Sequence, residues 1–202
     1  MQAIKNIGAI VLLLLLQSCS APELVPSDYV AWVNDEANGL LKKKTINPLE
    51  VELLYKPVPY IIANEKRSNE IAKADYDSRA KELEGMQYFT LKLGIVGEQQ
   101  DVTNYGVEDA AQQQERLNYL SFAMQKDIKL IEGGDTLACQ LYHFERSYDI
   151  ASYRTFVLAF EQKEENKAQD KTLVLDLPYF KTGPIKLNYK TSELEAIPTI
   201  KL

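Results

Sequence analysis

The sequence is short of the residues that most often carry enzyme chemistry. Histidine occurs once, at His143, and cysteine twice, at Cys19 and Cys139, in 202 residues. One imidazole gives any histidine-based triad a single possible base, and a zinc site of the usual kind would have to combine His143, Cys139 and carboxylates. Two thiols allow one disulfide at most. Excess positive charge is missing too: 23 Lys and Arg stand against 29 Asp and Glu, a formal charge of −6. Nucleic-acid binding and electrostatic adhesion to an anionic leaflet both need clustered cations, so neither is expected. No internal repeat is visible, and the triple glutamine at residues 112–114 is too short to be a low-complexity tract.

What is present is the composition of an ordinary folded protein. The chain is 46% apolar and 26% charged, close to the globular averages of about 45 to 50% and about 25%. Its length suits one domain, long enough to bury a core.

The clearest signal lies at the amino end. Lys5 precedes an uncharged run from Ile7 to Leu16, and the run stops at Gln17-Ser18-Cys19-Ser20. Ten residues at about 1.5 Å each cover roughly half of a hydrocarbon core of about 30 Å, so the run reads as a signal peptide and not as a spanning helix. Leu16-Gln17-Ser18-Cys19 resembles the lipobox of bacterial lipoproteins, with a branched residue three before the cysteine and a small one directly before it. The resemblance implies cleavage after Ser18 and lipidation of Cys19: a diacylglyceryl group on its thiol and a further acyl chain, such as palmitate, on the new amino group. The membrane would then be the partner through the acyl chains on Cys19, in a bacterial cell envelope. With Cys19 alkylated, Cys139 is the sole remaining thiol, and an intramolecular disulfide is excluded.

The resulting organisation is a signal peptide over 1–18, a tether over 19–27 and a single domain over 28–202. Two prolines in Ser20–Ser27 suit an extended tether. Ser27 is placed to cap a helix over 28–36, with Gly39 ending it and Tyr29, Trp32 and Val33 on one face packed on the domain. Leu40–Ile46, with three consecutive lysines, reads as a solvated edge strand. Leu49–Lys56 alternates and reads as a strand, followed after Pro57 by a helical turn over 59–66. Ser68-Asn69-Glu70 offers a cap for a helix running to Glu84, with a thin stripe of Ala72, Tyr76, Ala80 and Leu83. Gln87–Val96 reads as a strand with Phe89, Leu91 and Leu93 on one face. A surface helix over 107–117 follows a polar loop and places Arg116 near its end, where the helix dipole favours a cation.

Gly133-Gly134 between two strand-like runs is a hairpin signal, because glycine supplies the positive φ of such turns. Pairing Glu132 with Asp135 sets Leu130 opposite Leu137, Ile128 opposite Cys139, Lys126 opposite Leu141 and Met124 opposite His143, and this face is the more apolar one. Cys139 is therefore expected to be buried and inert, with His143 on the same face. At about 3.3 Å per residue the two are roughly 13 Å apart, too far for the contact of about 3 Å that a thiolate and imidazole need to act together. Ser152–Phe160 sets Phe156, Leu158 and Phe160 on one face. Residues 161–171 read as a solvated hairpin tip without the spacing of a calcium loop. Three more strands are expected at 172–177, 185–189 and 197–202, with a short turn over 192–195.

The fold class expected is mainly β (α+β), an antiparallel sheet or β-sandwich with helical insertions in the N-terminal half. Cys139-Gln-Leu-Tyr-His-Phe-Glu-Arg146, behind the Gly-Gly hairpin, is similar to a group of lipoproteins from Bacteroidota. This resemblance covers the C-terminal half and implies an outer-membrane setting, without supplying functional residues.

No catalytic, cofactor-binding or metal residue is assigned from the sequence, and no cofactor is called for. The function expected is that of a lipid-anchored, non-catalytic module that binds or scaffolds an envelope protein or an extracellular ligand. A carrier of a hydrophobic ligand is the alternative, with a carboxylate-based hydrolase third, because no Asp or Glu pair stands at a spacing that fixes it.

Overall fold

Alternation of apolar and polar residues decides the sheets, as a computed structural model shows for residues 22–97, 101–145, 152–163 and 169–202. Strands β2 (Leu41–Ile46), β3 (Leu49–Lys56), β4 (Met86–Ile95), β8 (Tyr153–Glu161) and β7 (Leu141–Glu145) form an antiparallel sheet in the order β2-β3-β4-β8-β7. Register places Leu53 beside Leu91, Leu91 beside Phe156, and Phe156 beside Phe144, one apolar row across four strands. A second antiparallel sheet has the order β10 (Ile185–Tyr189), β9 (Lys171–Leu175), β5 (Ile128–Glu132), β6 (Asp135–Ala138). Its matching row is Leu187, Leu173, Leu130 and Leu137.

These faces meet as a sandwich. Phe89, Leu91, Phe156 and Phe160 on one side and Leu130, Leu173, Leu175 and Tyr189 on the other are all fully buried in one cluster. Each such side chain contributes about 1.5 to 3 kcal/mol through area removed from water. The mainly β, antiparallel fold class expected from the sequence is the one observed. Between the sheets the register ends in a polar row: Tyr189 pairs with Lys171, and Lys171 with Glu132. Lys171 Nζ and Glu132 Oε2 lie 2.6 Å apart, both side chains fully buried.

Helices gather round this frame. α1 (Pro26–Asn34) packs on α2 (Val58–Lys66), and α3 (Lys73–Glu82) follows along α2 with Arg79 bonded to Glu65 at 2.8 and 2.9 Å. α4 (Ala110–Ser121) lies next to β7, and α5 (Thr191–Glu195) is a single turn. Tyr29 and Val33 of α1 are fully buried and Trp32 is half-buried, so this face packs on the domain as read.

Several local expectations are corrected. Ser27 does not cap α1: the helix opens at Pro26, whose fixed φ suits that position, behind Val25. Ser68 and Asn69 do not cap α3, which begins at Lys73; Ser68 closes a local turn on Glu70, and Asn69 Oδ1 accepts from the Ser27 amide at 2.8 Å. Part of the expected tether is structured, because β1 (Glu23–Leu24) pairs in parallel with β11 (Thr199–Ile200). The helix expected over 107–117 starts later and runs further: Asp109 Oδ1 takes the Gln112 amide at 2.8 Å, so α4 continues to Ser121 and a 3-10 turn occupies Ala123–Asp127.

The hairpin register holds where it is set by the turn. Gly133 and Gly134 have φ of 55° and 87°, and Glu132 pairs with Asp135, Leu130 with Leu137. It ends at Lys129 and Ala138, so the pairings expected for Ile128, Lys126 and Met124 do not form. At Cys139-Gln140 the chain leaves the second sheet and enters the first as β7. His143 consequently pairs with Val157 on the first sheet, not with Met124. β8 and β9, on either side of the hairpin tip expected over 161–171, belong to different sheets and do not pair as a hairpin, and Lys171, read as part of a solvated loop, is buried.

Candidate functional site

The residues singled out from the sequence do not converge. Cys19, with the whole of 1–18, lies outside the described residues. Cys139 is 7% exposed and its thiol donates to the Leu141 carbonyl at 3.0 Å. Burial pushes that thiol up to about 11. His143, expected on the same buried face as Cys139, is instead exposed on the other sheet, where the half-buried side chains of its strand are Tyr142 and Phe144. Among the described residues no three of His, Cys, Asp and Glu gather as a metal-ion site, and no helix is long and apolar enough to cross a membrane.

A cleft that sequence reading missed lies between α4, the loop 101–106 and strands β7 and β8. Its volume is about 630 Å³. Gln113, Gln114, Leu117 and Ser121 follow one another at helical spacing along one face of α4, and Asn104 and Phe144 complete the wall. Gln113 Nε2 donates to Asn104 Oδ1 across it, and Gln114 Nε2 donates to Asn118 Oδ1 at 3.0 Å. The side chains that can hydrogen-bond here are therefore almost all uncharged amides and hydroxyls.

Two buried arginines hold the loop that forms the far wall. Arg116, 7% exposed, donates from Nη1 to the carbonyls of Val102 and Tyr105 at 3.1 and 3.2 Å. Its guanidinium stacks near the rings of Tyr179 and Phe180 at 4.9 and 4.8 Å. Burial lowers its pKa. The dipole role expected for Arg116 is thus replaced by a tertiary one. Arg154 of β8 lies at the cleft base, with Nε 2.5 Å from Asp101 Oδ2, a contact of opposite charges whose alignment falls short of a hydrogen bond. Asp101 Oδ1 also accepts the Thr103 amide at 2.8 Å. Arg154 is thereby neutralised in place.

Compared with known proteins, the chain matches no protein-family model, no curated protein and no solved structure.

Other concavities have different chemistry. A groove of about 310 Å³ on the outer face of the first sheet carries Lys43, Glu50, Glu52, Lys92 and Tyr153. Glu50 and Glu52, two apart on one strand, share this face at about 7 Å. Glu52 lies 3.7 Å from Lys43 and 3.6 Å from Lys92, so it belongs to a surface ion lattice. Beside the crossover at Cys139, Phe122 projects at the end of α4, 73% exposed, over a groove of about 430 Å³ that includes Leu137. The only signal for the α4 cleft in the sequence is its run of glutamines, placed on one helix face.

Proposed function

We propose that the protein is a lipid-anchored, non-catalytic binding or scaffolding module of the bacterial envelope, held through acyl chains on Cys19, and that the cleft beside α4 takes its ligand. The observation that carries this reading is the cleft's chemistry. A site lined by amides and hydroxyls, with its one cation already paired to Asp101, matches an uncharged, hydrogen-bonding ligand such as a polar face of an envelope protein or an extracellular molecule. Leu117 and Phe144 add apolar surface at its edge.

The reading of a hydrophobe carrier has less support. Space between the sheets is occupied by Phe89, Phe156, Phe160 and Tyr189, which touch one another or their neighbours, and the most apolar concavities described are surface grooves. The pair Glu50 and Glu52 lies on an open sheet face and gives a hydrolase no enclosed site from which water is excluded.

Two experiments test the two halves of the proposal. For the anchor, Cys19→Ala should move the protein from the membrane fraction to the soluble one, and retention in membranes would refute it. For the cleft, a photo-crosslinking residue at Gln113 should give a discrete adduct in intact cells, while one at Glu50 on the opposite sheet face should not. Equal labelling from both positions, or none from Gln113, removes the cleft from the proposal.

A further inference from the structure

Three buried side chains from three strands converge where the sandwich interior is polar. Gln87 comes from β4 of the first sheet, and Glu132 and Lys171 come from β5 and β9 of the second. They are 2%, 1% and 0% exposed. A single oxygen, Glu132 Oε2, accepts from Lys171 Nζ at 2.6 Å and from Gln87 Nε2 at 3.0 Å. The amine and the amide nitrogen can be no further apart than those two legs laid end to end. Gln87 Nε2 also donates to the Glu161 carbonyl at 2.9 Å, which fixes the plane of the carboxamide.

Nothing in the surroundings suggests a surface ion pair. Tyr189 neighbours Lys171 in the register, Phe160 is the cross-strand partner of Gln87, and both are fully buried. The Tyr55 hydroxyl is pushed up to about 12, chiefly by burial and further by the Glu132 carboxylate. Two charges held this deep cost several kcal/mol each in lost hydration before their attraction is counted. Passing the lysine proton to the carboxylate removes both charges and leaves an amine with a free lone pair beside a carboxamide.

We propose that Lys171 and Gln87 join in an intramolecular amide, an ε-(γ-glutamyl)lysine bond, with Glu132 moving the protons. Glu132 takes a proton from the Lys171 ammonium, and Nζ attacks Gln87 Cδ to give a tetrahedral centre. Glu132 then delivers the proton to Nε2. The Cδ–Nε2 bond breaks as the carbonyl reforms, the departing ammonia takes the second proton of Nζ to leave as ammonium, and the new Nζ–Cδ amide bond remains. One primary amide and one ammonium group become one secondary amide and one free ammonium ion, with no oxidant or reductant and with Glu132 restored. The link ties β4 to β9, one strand from each sheet, in a chain where alkylation of Cys19 would leave no second thiol for a disulfide.

The test is peptide mass spectrometry on the full-length protein purified in its folded form. A trypsin digest of the wild type should contain one branched peptide carrying Gln87 and Lys171, about 17 Da lighter than its two parts because one ammonia has left. The Lys171-Thr172 bond should stay uncut, since trypsin needs the free ammonium. Glu132→Gln and Lys171→Arg should yield the separate, unlinked peptides. Folded wild-type protein that gives the unlinked peptides at full mass overturns the proposal, and so does a link that persists in Glu132→Gln. Should either variant fail to fold, the wild-type digest decides alone.

Discussion

The hydroxyl of Tyr189, on the edge strand β10 of one sheet, donates to the carbonyl of Leu53 on β3 of the other at 2.9 Å, with both residues fully buried. The ring beneath it lies 5.9 Å from Phe89 and 6.0 Å from Tyr55, and the ammonium of Lys42 sits 5.5 Å from its centroid. One side chain thus joins the two sheets by a hydrogen bond, by ring contacts and by area burial. It stands next to Lys171, so the apolar and the polar parts of the interior meet at this position.

Replacing Tyr189 separates those contributions. Tyr189→Phe keeps the ring and loses one buried hydrogen bond, and should cost about 1 to 2 kcal/mol. Tyr189→Ala also opens a cavity and should cost about 3 to 5 kcal/mol. Denaturant midpoints of the three proteins check both values. Equal losses would mean that the ring contributes nothing beyond its hydroxyl.

Much of this interior was legible in the sequence, and the reason is periodicity. Phe89, Leu91 and Leu93, or Phe156, Leu158 and Phe160, alternate strictly, so their strands and buried faces follow from a two-residue repeat. The Gly133-Gly134 turn likewise fixed the local register. The chain's departure at Cys139-Gln140 was not legible, because Leu141 and His143 prolong the odd-numbered pattern in the sequence, whereas in β7 the even-numbered Tyr142 and Phe144 turn inward and the odd positions are exposed. Lys171 and Arg116 were misread for one reason: a charge is taken as solvated until a distant partner is known. The partners of Lys171 are 39 and 18 residues away, Glu132 across the ladder and Tyr189 at its side. The α4 cleft was hidden similarly, since amides are common on exposed helix faces and only the loop pinned by Arg116 turns that face into a wall.

Gly39 has a sharper requirement than the other turn glycines. Its φ is +78°, and a Cβ there would come within 2.7 Å of Glu193 Oε1. That carboxylate pairs with Lys42 at 2.7 Å and its other oxygen accepts the Lys190 amide at 2.9 Å, closing the start of α5. Gly85 shares the φ of +78° but has open space about its Cβ position. Gly85→Ala should therefore lose about 1 to 2 kcal/mol from backbone strain alone, and Gly39→Ala should lose more, with α5 displaced. Matching midpoints for the two variants would contradict this account of Glu193.

Alkaline pH should weaken the fold well before it would affect a protein with exposed phenols. Burial raises Cys139 from its ordinary 9.0 to about 11 and Tyr55 from 10.0 to about 12, and it raises Tyr29, Tyr119, Tyr142 and Tyr189 as well. Each folded group keeps its proton after the unfolded chain has lost it. The folded state then binds more protons, and stability falls as pH rises. The contribution is intact below about pH 9, the unfolded value for the thiol, and is lost progressively through about pH 12. Lys56 and Arg116, both lowered by burial, run the other way but are two groups against the six named. Urea midpoints should be level from about pH 7 to 8.5 and decline above about pH 9. A midpoint that stays flat to about pH 11 would show that these groups are open to water.

Cys139 offers the most local check on the crossover between sheets. Its thiol is buried, donates to Leu141 two residues on, and lies where Gln125 Nε2 holds the Cys139 carbonyl at 2.9 Å. With the thiol pushed up to about 11, only about one molecule in a thousand carries the thiolate at about pH 8, before any steric barrier is counted. In the Cys19→Ala protein, where Cys139 is the sole thiol, an aromatic disulfide reagent should react at least about a hundredfold more slowly with the native form than with the urea-unfolded chain. Gln125→Ala, which frees the Cys139 carbonyl without touching the sulfur, should raise the native rate while leaving the unfolded rate unchanged. If the native protein labels at the unfolded rate, Cys139 is not buried at the crossover and its thiol is not held by the Leu141 carbonyl.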